Sequence, residues 1–268
     1  MLSVRQTTFA PVAVNTSDLL AQTSHRPWPL PHARWRMQMR WCDLAFLHWP
    51  LPPQMLRPFI PAPLELDTFE AQAWLGIVPF RMEAVRYRYS PPIPTTHAFP
   101  ELNVRTYVRT PERTGVWFFS LDATSRLAVR AARCVYNLPY FDADIRLQRE
   151  GEGIRYTSHR THSQAPPAEL QVQYRATGEV YEAAPGTLEH WLVERYCLFA
   201  QARSGAVFFV DVHHQPWPLQ RAQARVEQNT MAEAAGIELP PQPPLVHFAR
   251  ALDVLAWSRM PVTARSSA

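Results

Sequence analysis

At 268 residues, 47% hydrophobic and 12% aromatic, the chain has material for a substantial core, and one globular unit is the simplest organisation. Its net charge of +4 is spread along the sequence instead of gathered in a block or tail, so charge gives little support to nucleic-acid binding. No run of about 18 apolar residues points to a membrane span, and the polar start M-L-S-V-R-Q-T-T lacks the apolar stretch of a secretory signal, so a cytoplasmic protein is expected.

Composition also narrows the chemistry. There is no lysine: all 27 basic side chains are arginine, which stays protonated, so any mechanism through a lysine Schiff base is excluded. Twenty-seven prolines against eight glycines, with no G-x-G-x-x-G or Walker-type segment, leave no phosphate-cradling loop, and no cofactor is expected. Cys42, Cys134 and Cys197 stand far apart, which fits reduced buried thiols better than a disulfide frame or a zinc site.

Residues 1–33 lack periodicity and end in R-P-W-P-L-P-H, an extended arm lying on the body or on a partner subunit; residues 34–268 form the single domain. Trp35, Met37, Met39 and Trp41 alternate with Arg36, Gln38 and Arg40 as in a half-buried strand, whose apolar stripe is either core or the wall of a cavity. Pro52 and Pro53 start a short helix through Met55, Leu56 and Phe59. Leu64–Asp67 and the nearly all-apolar Gln72–Met82 are expected to pair with each other across T-F-E-A.

A proline-rich loop, 87–100, leads into F-P-E-L-N-V-R-T-Y-V-R. At period two, Leu102, Val104, Thr106 and Val108 share one face, while Glu101, Asn103, Arg105 and Tyr107 crowd the other. Val116–Ala123 returns as the hairpin partner, and Ser125 caps a helix through about Tyr136. Strands follow at Ala143–Arg149, Ile154–His162 and Leu170–Arg175. A helix is expected from Gly186-Thr187 to about Arg203, a strand at Val207–His214, a helix from Pro218 to Gly236, and a last strand or strand pair at Leu245–Trp257. Many strands with scattered helices define an α+β class, mainly antiparallel β.

The ordered set W-x-M-x-M-x-W, H-W-P-L (48–51), L-E-L-D-T (64–68), E-L-N-V-R-T-Y-V (101–108), G-V-W-F-F-S-L-D-A (115–123), L-P-Y (138–140), E-R-Y (194–196) and H-Q-P-W-P-L (214–219) resembles the YqjF-like bacterial family of unknown function. That resemblance spans roughly residues 33–257. It implies the acetoacetate-decarboxylase-like superfamily, with a closed or cone-shaped β-barrel, an interior cavity and flanking helices. It further implies that Glu101 matches the superfamily's active-site glutamate, and that Tyr140 stands at the Schiff-base lysine position, so imine-dependent decarboxylation is unavailable.

The candidate site is therefore Glu101 and Tyr140 as catalytic groups, with Asn103, Arg105, Arg133 and His48 binding substrate. The bland alternative is a structural Glu–Arg pair in a polar interior. Asp211 and His213, two apart on a strand, share a face as two metal ligands would, but no third ligand is identifiable, and an ordinary hydrogen-bonded pair is the better reading. The 158–162 run S-H-R-T-H is equally ambiguous, and Ser120 lacks a G-x-S-x-G turn.

The expected activity is lysine-independent, lyase-type chemistry on a small keto or carboxylate compound. The alternatives are a non-catalytic ligand binder and a structural or assembly protein. The expected partner is that small molecule, with no nucleic acid, no membrane and no metal, and a homo-oligomer is compatible with the arm.

Overall fold

The computed structural model describes residues 15–91, 98–125, 129–130, 133 and 136–262. The strands are β1 (Met37–Leu51), β2 (Glu65–Leu66), β3 (Ala73–Tyr87), β4 (Ala98–Arg109), β5 (Thr114–Ala123), β6 (Tyr140–Glu150), β7 (Gly153–Arg160), β8 (Glu169–Ala176), β9 (Cys197–Gln201), β10 (Val207–His213), β11 (Leu219–Asn229), β12 (Leu245–Ala256) and β13 (Met260–Pro261). They form one sheet ordered β13-β10-β9-β5-β6-β7-β8-β11-β12-β1-β3-β4-β2. Additional β4–β5 and β10–β12 pairings curl this sheet into a ring. Most neighbours are antiparallel, while β5 runs parallel to β6 and β9.

Strands β12, β1, β3, β4 and β5 form a wall shared by two lobes, and both of its faces are buried. On β3, Trp74, Val78, Phe80 and Met82 face one apolar cluster, while Leu75 and Ile77 face the other. A strand covered on both sides has no reason to alternate, which explains the apolar run A-W-L-G-I-V-P-F.

On β1 the alternation is reset at Asp43, which adopts a left-handed φ of 56° where the pairing with β3 shifts register. Before it Met39 faces the first cluster; after it Leu44 and Phe46 do, while Ala45 and Leu47 face the second. The buried Asp43 carboxylate is held by Arg81 (3.2 Å), Arg149 (2.8 Å) and Arg250 (3.1 Å), so the irregular backbone is clamped by charge.

Most expected strands are present, with four differences. First, β1 runs on to Leu51, well past Trp41. Second, β2 pairs with β4 and not with β3, while T-F-E-A closes its own tight turn through a Phe69–Gln72 bridge. Third, the helix from Thr187 stops at Val193, and Cys197–Gln201 is a strand, because Val116–Trp117 of β5 and Val207–Asp211 of β10 offer it edges on both sides. Fourth, Leu219–Asn229 is a strand. Its alanines at 222 and 224 and Val226 alternate with exposed Arg221, Gln223, Arg225 and Glu227, so the period is two despite alanine's preference for helices.

Part of the expected 125–136 helix, including Cys134, lies outside the described residues; Val129, Arg130, Arg133 and Tyr136 are helical. Residues 1–14 of the arm also lie outside them. The rest of the arm packs on the body: Arg26 donates to the Val212 carbonyl (2.7 Å), and the Trp28 indole donates to Asp211 (2.9 Å). Among the described residues no helix is long and apolar enough to cross a membrane.

Gly115 sits where β5 and β9 come closest: a Cβ there would lie 2.5 Å from the Cys197 carbonyl oxygen. Backbone cannot yield as a side-chain tip can, so Gly115→Ala is expected to push β9 off β5 and cost about 1–3 kcal/mol in urea unfolding. An unchanged midpoint would show that the strands tolerate separation.

Candidate functional site

The first lobe encloses a cavity of about 420 Å³ against the shared wall. Apolar side chains dominate its lining, among them Met39, Trp41, Phe80, Phe118, Val212 and Trp217. Into this lining β4 projects Glu101, Asn103 and Arg105 at period two, since Leu102 and Val104 fill the core on the opposite face. Tyr140, the first residue of β6, lies beside β5 and reaches the same cavity.

Glu101 is 1% exposed, and the Tyr140 hydroxyl donates to its Oε2 at 2.9 Å. Burial pushes the Glu101 carboxyl up to about 8; the Tyr140 hydrogen bond opposes this shift and nearby Asp122 adds to it. Burial, with Glu101 beside it, raises the Tyr140 phenol well above its ordinary value, so it too keeps its proton. At neutral pH the pair is a neutral acid oriented by a neutral donor.

Arg105 has no carboxylate partner. Every Asp and Glu of the sequence lies among the described residues, and none forms an ion pair with it. Its guanidinium lies 5.4 Å from the Phe46 ring centroid and 5.8 Å from that of Tyr107, and its Nε is buried without a partner. Arg195, also on the lining, donates to Asp67 (2.6 Å) and to the Trp191 carbonyl (2.6 Å), while its other Nη atom is buried and unpartnered.

The indole Nε1 atoms of Trp41 and Trp217 are likewise unpartnered, as is Asn103 Oδ1. Each buried group left this way costs about 1–3 kcal/mol unless something in the cavity satisfies it. Donors outnumber acceptors in that set, so it suits a carbonyl or carboxylate.

Of the expected site residues, Glu101, Asn103, Arg105 and Tyr140 line this one cavity, and two do not. His48 is on the cavity side of the wall but past the end of the lining: it is fully buried, its Nε2 contacts the Tyr107 hydroxyl at 2.7 Å, and its ring packs against Phe46 and over Gly76. The reset at Asp43 puts it on the face of Leu44 and Phe46, but on β1 the lining ends at Leu44. Arg133, a helical residue, is exposed and contacts His162 Nε2 at 3.0 Å.

Asp211 and His213 are hydrogen-bonded, though not to each other. His213 contacts the Leu19 carbonyl and Arg26, and among the described residues no group of three or more metal-ligating side chains occurs. In the 158–162 run, Arg160 forms a buried pair with Asp122 (2.7 Å), and His159 and His162 face Glu169 and Asp142. Arg195, Trp217 and His214 are lining residues that the sequence reading did not single out as site groups. Arg195 was hidden inside an expected helix, and the E-R-Y motif was the one signal that pointed to it.

The fold resembles that of acetoacetate-decarboxylase-like proteins. It is similar to the enduracididine biosynthesis enzyme MppR in complex with pyruvate (TM-score 0.61, 10% identity, 90% of this chain and 95% of that one). It is also similar to an acetoacetate-decarboxylase-like enzyme from Sphingomonas wittichii RW1 (0.58, 11%, 86% and 94%) and to an acetoacetate decarboxylase (0.60, 10%, 93% and 99%). At such identities the likeness is one of fold. By sequence the chain belongs to the DUF2071 family of uncharacterized conserved proteins, whose model matches residues 38–253. It is 43% identical over 228 residues to the uncharacterized protein YqjF of Bacillus subtilis (strain 168), covering 85% of this chain and 93% of that protein.

Buried protonation makes stability depend on pH. The unfolded Glu101 ionises near 4.5 while the folded one holds its proton to about 8, so between these values the native state binds the extra proton and loses stability as pH rises. Glu101→Gln keeps an acceptor for Tyr140 and removes this dependence. Urea titrations from pH 4 to 9 are expected to show wild type losing ground to the variant by on the order of 1.4 kcal/mol per pH unit across that window. A difference independent of pH would mean that Glu101 is ionised in the fold.

Proposed function

We propose that the chain takes a largely apolar keto or carboxylate compound into the cavity and acts on it as a lysine-independent, lyase-type enzyme. One observation carries this reading: a buried, protonated carboxyl shares an apolar cavity with an arginine that has no counter-ion. A cavity of about 420 Å³ also lies in the size range of small-molecule sites, which supports a ligand over a purely structural role.

Arg105, aided by Asn103 and the free Nη of Arg195, holds the anion or a developing oxyanion. The ionised fraction of Glu101, a strong base in an apolar site, takes the proton from the carbon beside the carbonyl, the C–H electron pair passes into an enolate whose oxygen Arg105 holds, and the Glu101 carboxyl so formed returns a proton to that carbon. Tyr140 fixes the carboxyl orientation and supplies no amine, so no imine forms. Glu101 and Arg105 are four apart on an extended strand, about 13 Å between Cα atoms, which favours an elongated ligand over a three-carbon acid.

The test uses 2-oxo-4-phenylbutyrate in D₂O, with loss of its C3 proton signal followed by NMR. Wild type is expected to accelerate exchange over buffer, and Glu101→Gln to slow it by on the order of 100-fold. Exchange untouched by the substitution removes Glu101 from the acid–base role. Binding without exchange, read from tryptophan fluorescence, favours the non-catalytic reading.

A further inference from the structure

Where β1 begins and β3 ends, the cavity lining reaches solvent at Tyr87, which is 40% exposed. Four arginines gather at this end. Arg34 and Arg36 precede β1, Arg86 lies within β3 and on the lining, and Arg88 follows β3 with its amide bonded to the Arg36 carbonyl at 2.8 Å. Arg34 donates to the Tyr89 hydroxyl (3.1 Å), and Arg88 is stacked between the Trp35 and Tyr89 rings at 4.9 and 4.8 Å. Arg36 donates to Ser258, and Arg86 to Gln38.

These groups are positioned by neutral partners. None of the chain's 23 carboxylates forms an ion pair with any of the four, although Arg40 and Arg81 further along the same strands are both paired. The Nε of Arg88 is in addition buried without a hydrogen-bond partner. Uncompensated charge held in place by stacking is a pre-organised anion receptor, and several guanidinium forks suit a dianionic phosphate better than a single carboxylate.

We infer that the rim formed by Arg34, Arg36, Arg86 and Arg88 binds the phosphate ester of a soluble ligand whose apolar body enters the cavity. This rests on the cavity being a ligand site, as proposed above, and adds the ligand's second end. The inner anion site and the rim lie at opposite ends of the lining, because Arg105 is opposite Gly76 while Arg86 is ten residues further along β3. The compound would therefore expose its phosphate at the mouth and bring its reacting part to Glu101.

The experiment titrates decyl phosphate, below its micellar concentration, into wild type, the Arg34→Gln/Arg36→Gln double variant and Arg105→Gln by calorimetry. The double variant removes two exposed side chains that support no core packing, and its thermal unfolding is measured alongside to show that it is folded. Wild type is expected to bind, the double variant about tenfold or more weakly, and Arg105→Gln to lose less affinity than the double variant.

Equal affinity of wild type and double variant overturns the inference, as does absence of binding. So does a loss confined to Arg105→Gln, which would mean that the phosphate goes inward. Arginine-dependent sedimentation with phosphatidylglycerol vesicles, without binding of monomeric decyl phosphate, would assign the rim to a membrane surface and overturns it too. The hydrogen-exchange test on Glu101 uses a ligand without phosphate, so the cavity chemistry and the rim fail separately.

Discussion

The structure depends on a sheet whose central strands have no solvent face. Once β12, β1, β3, β4 and β5 become a wall between two apolar lobes, any polar residue on them must be satisfied by protein or by whatever occupies the interior. Hydrophobic side chains fill most of these positions, and protein partners satisfy others, as three arginines do for Asp43 and Arg160 does for Asp122. Glu101, Asn103 and Arg105 on β4 are the concentrated exception. The same burial that stabilises the wall keeps Glu101 protonated and leaves Arg105 without a counter-ion, so fold energetics and site chemistry have one origin.

Two devices keep that wall in register. The clamp of three arginines on Asp43 holds a left-handed residue in β1 and switches which side chains face each lobe. Gly115 lets β9 approach β5, which brings Arg195 and Leu198 to the cavity. Both are backbone features that decide which side chains meet in the site without touching it themselves.

Much of this was legible in the sequence where a pattern had a single reading. The β4 face was visible because polar residues at period two in an otherwise apolar segment leave few alternatives, and the absence of lysine excluded imine chemistry outright. The stripe of Trp35, Met37, Met39 and Trp41 reads most simply as core, with a cavity wall as the alternative; Met37, Met39 and Trp41 line the cavity, while Trp35 is core, packed with Leu19, Leu255 and Trp257. What stayed hidden was non-local. His48 shares the face of Leu44 and Phe46, but the lining ends at Leu44 on β1 and at Arg105 on β4, a limit that one-dimensional alternation cannot show. Residues 197–201 and 219–229 read as helix, since local propensity carries no information about the free strand edges that captured them. Arg195 was lost with the first of those segments.

Nature of the acid at the centre of the cavity is the claim on which the rest turns. It is tested most directly by NMR titration of the chain carrying ¹³Cδ-labelled glutamate, with Glu101→Gln used to assign the Glu101 signal. The account predicts a Glu101 carboxyl that stays protonated through neutral pH and titrates near 8, absent from the variant. A Glu101 signal that titrates near 4.5, as an ordinary hydrated glutamate does, would contradict it.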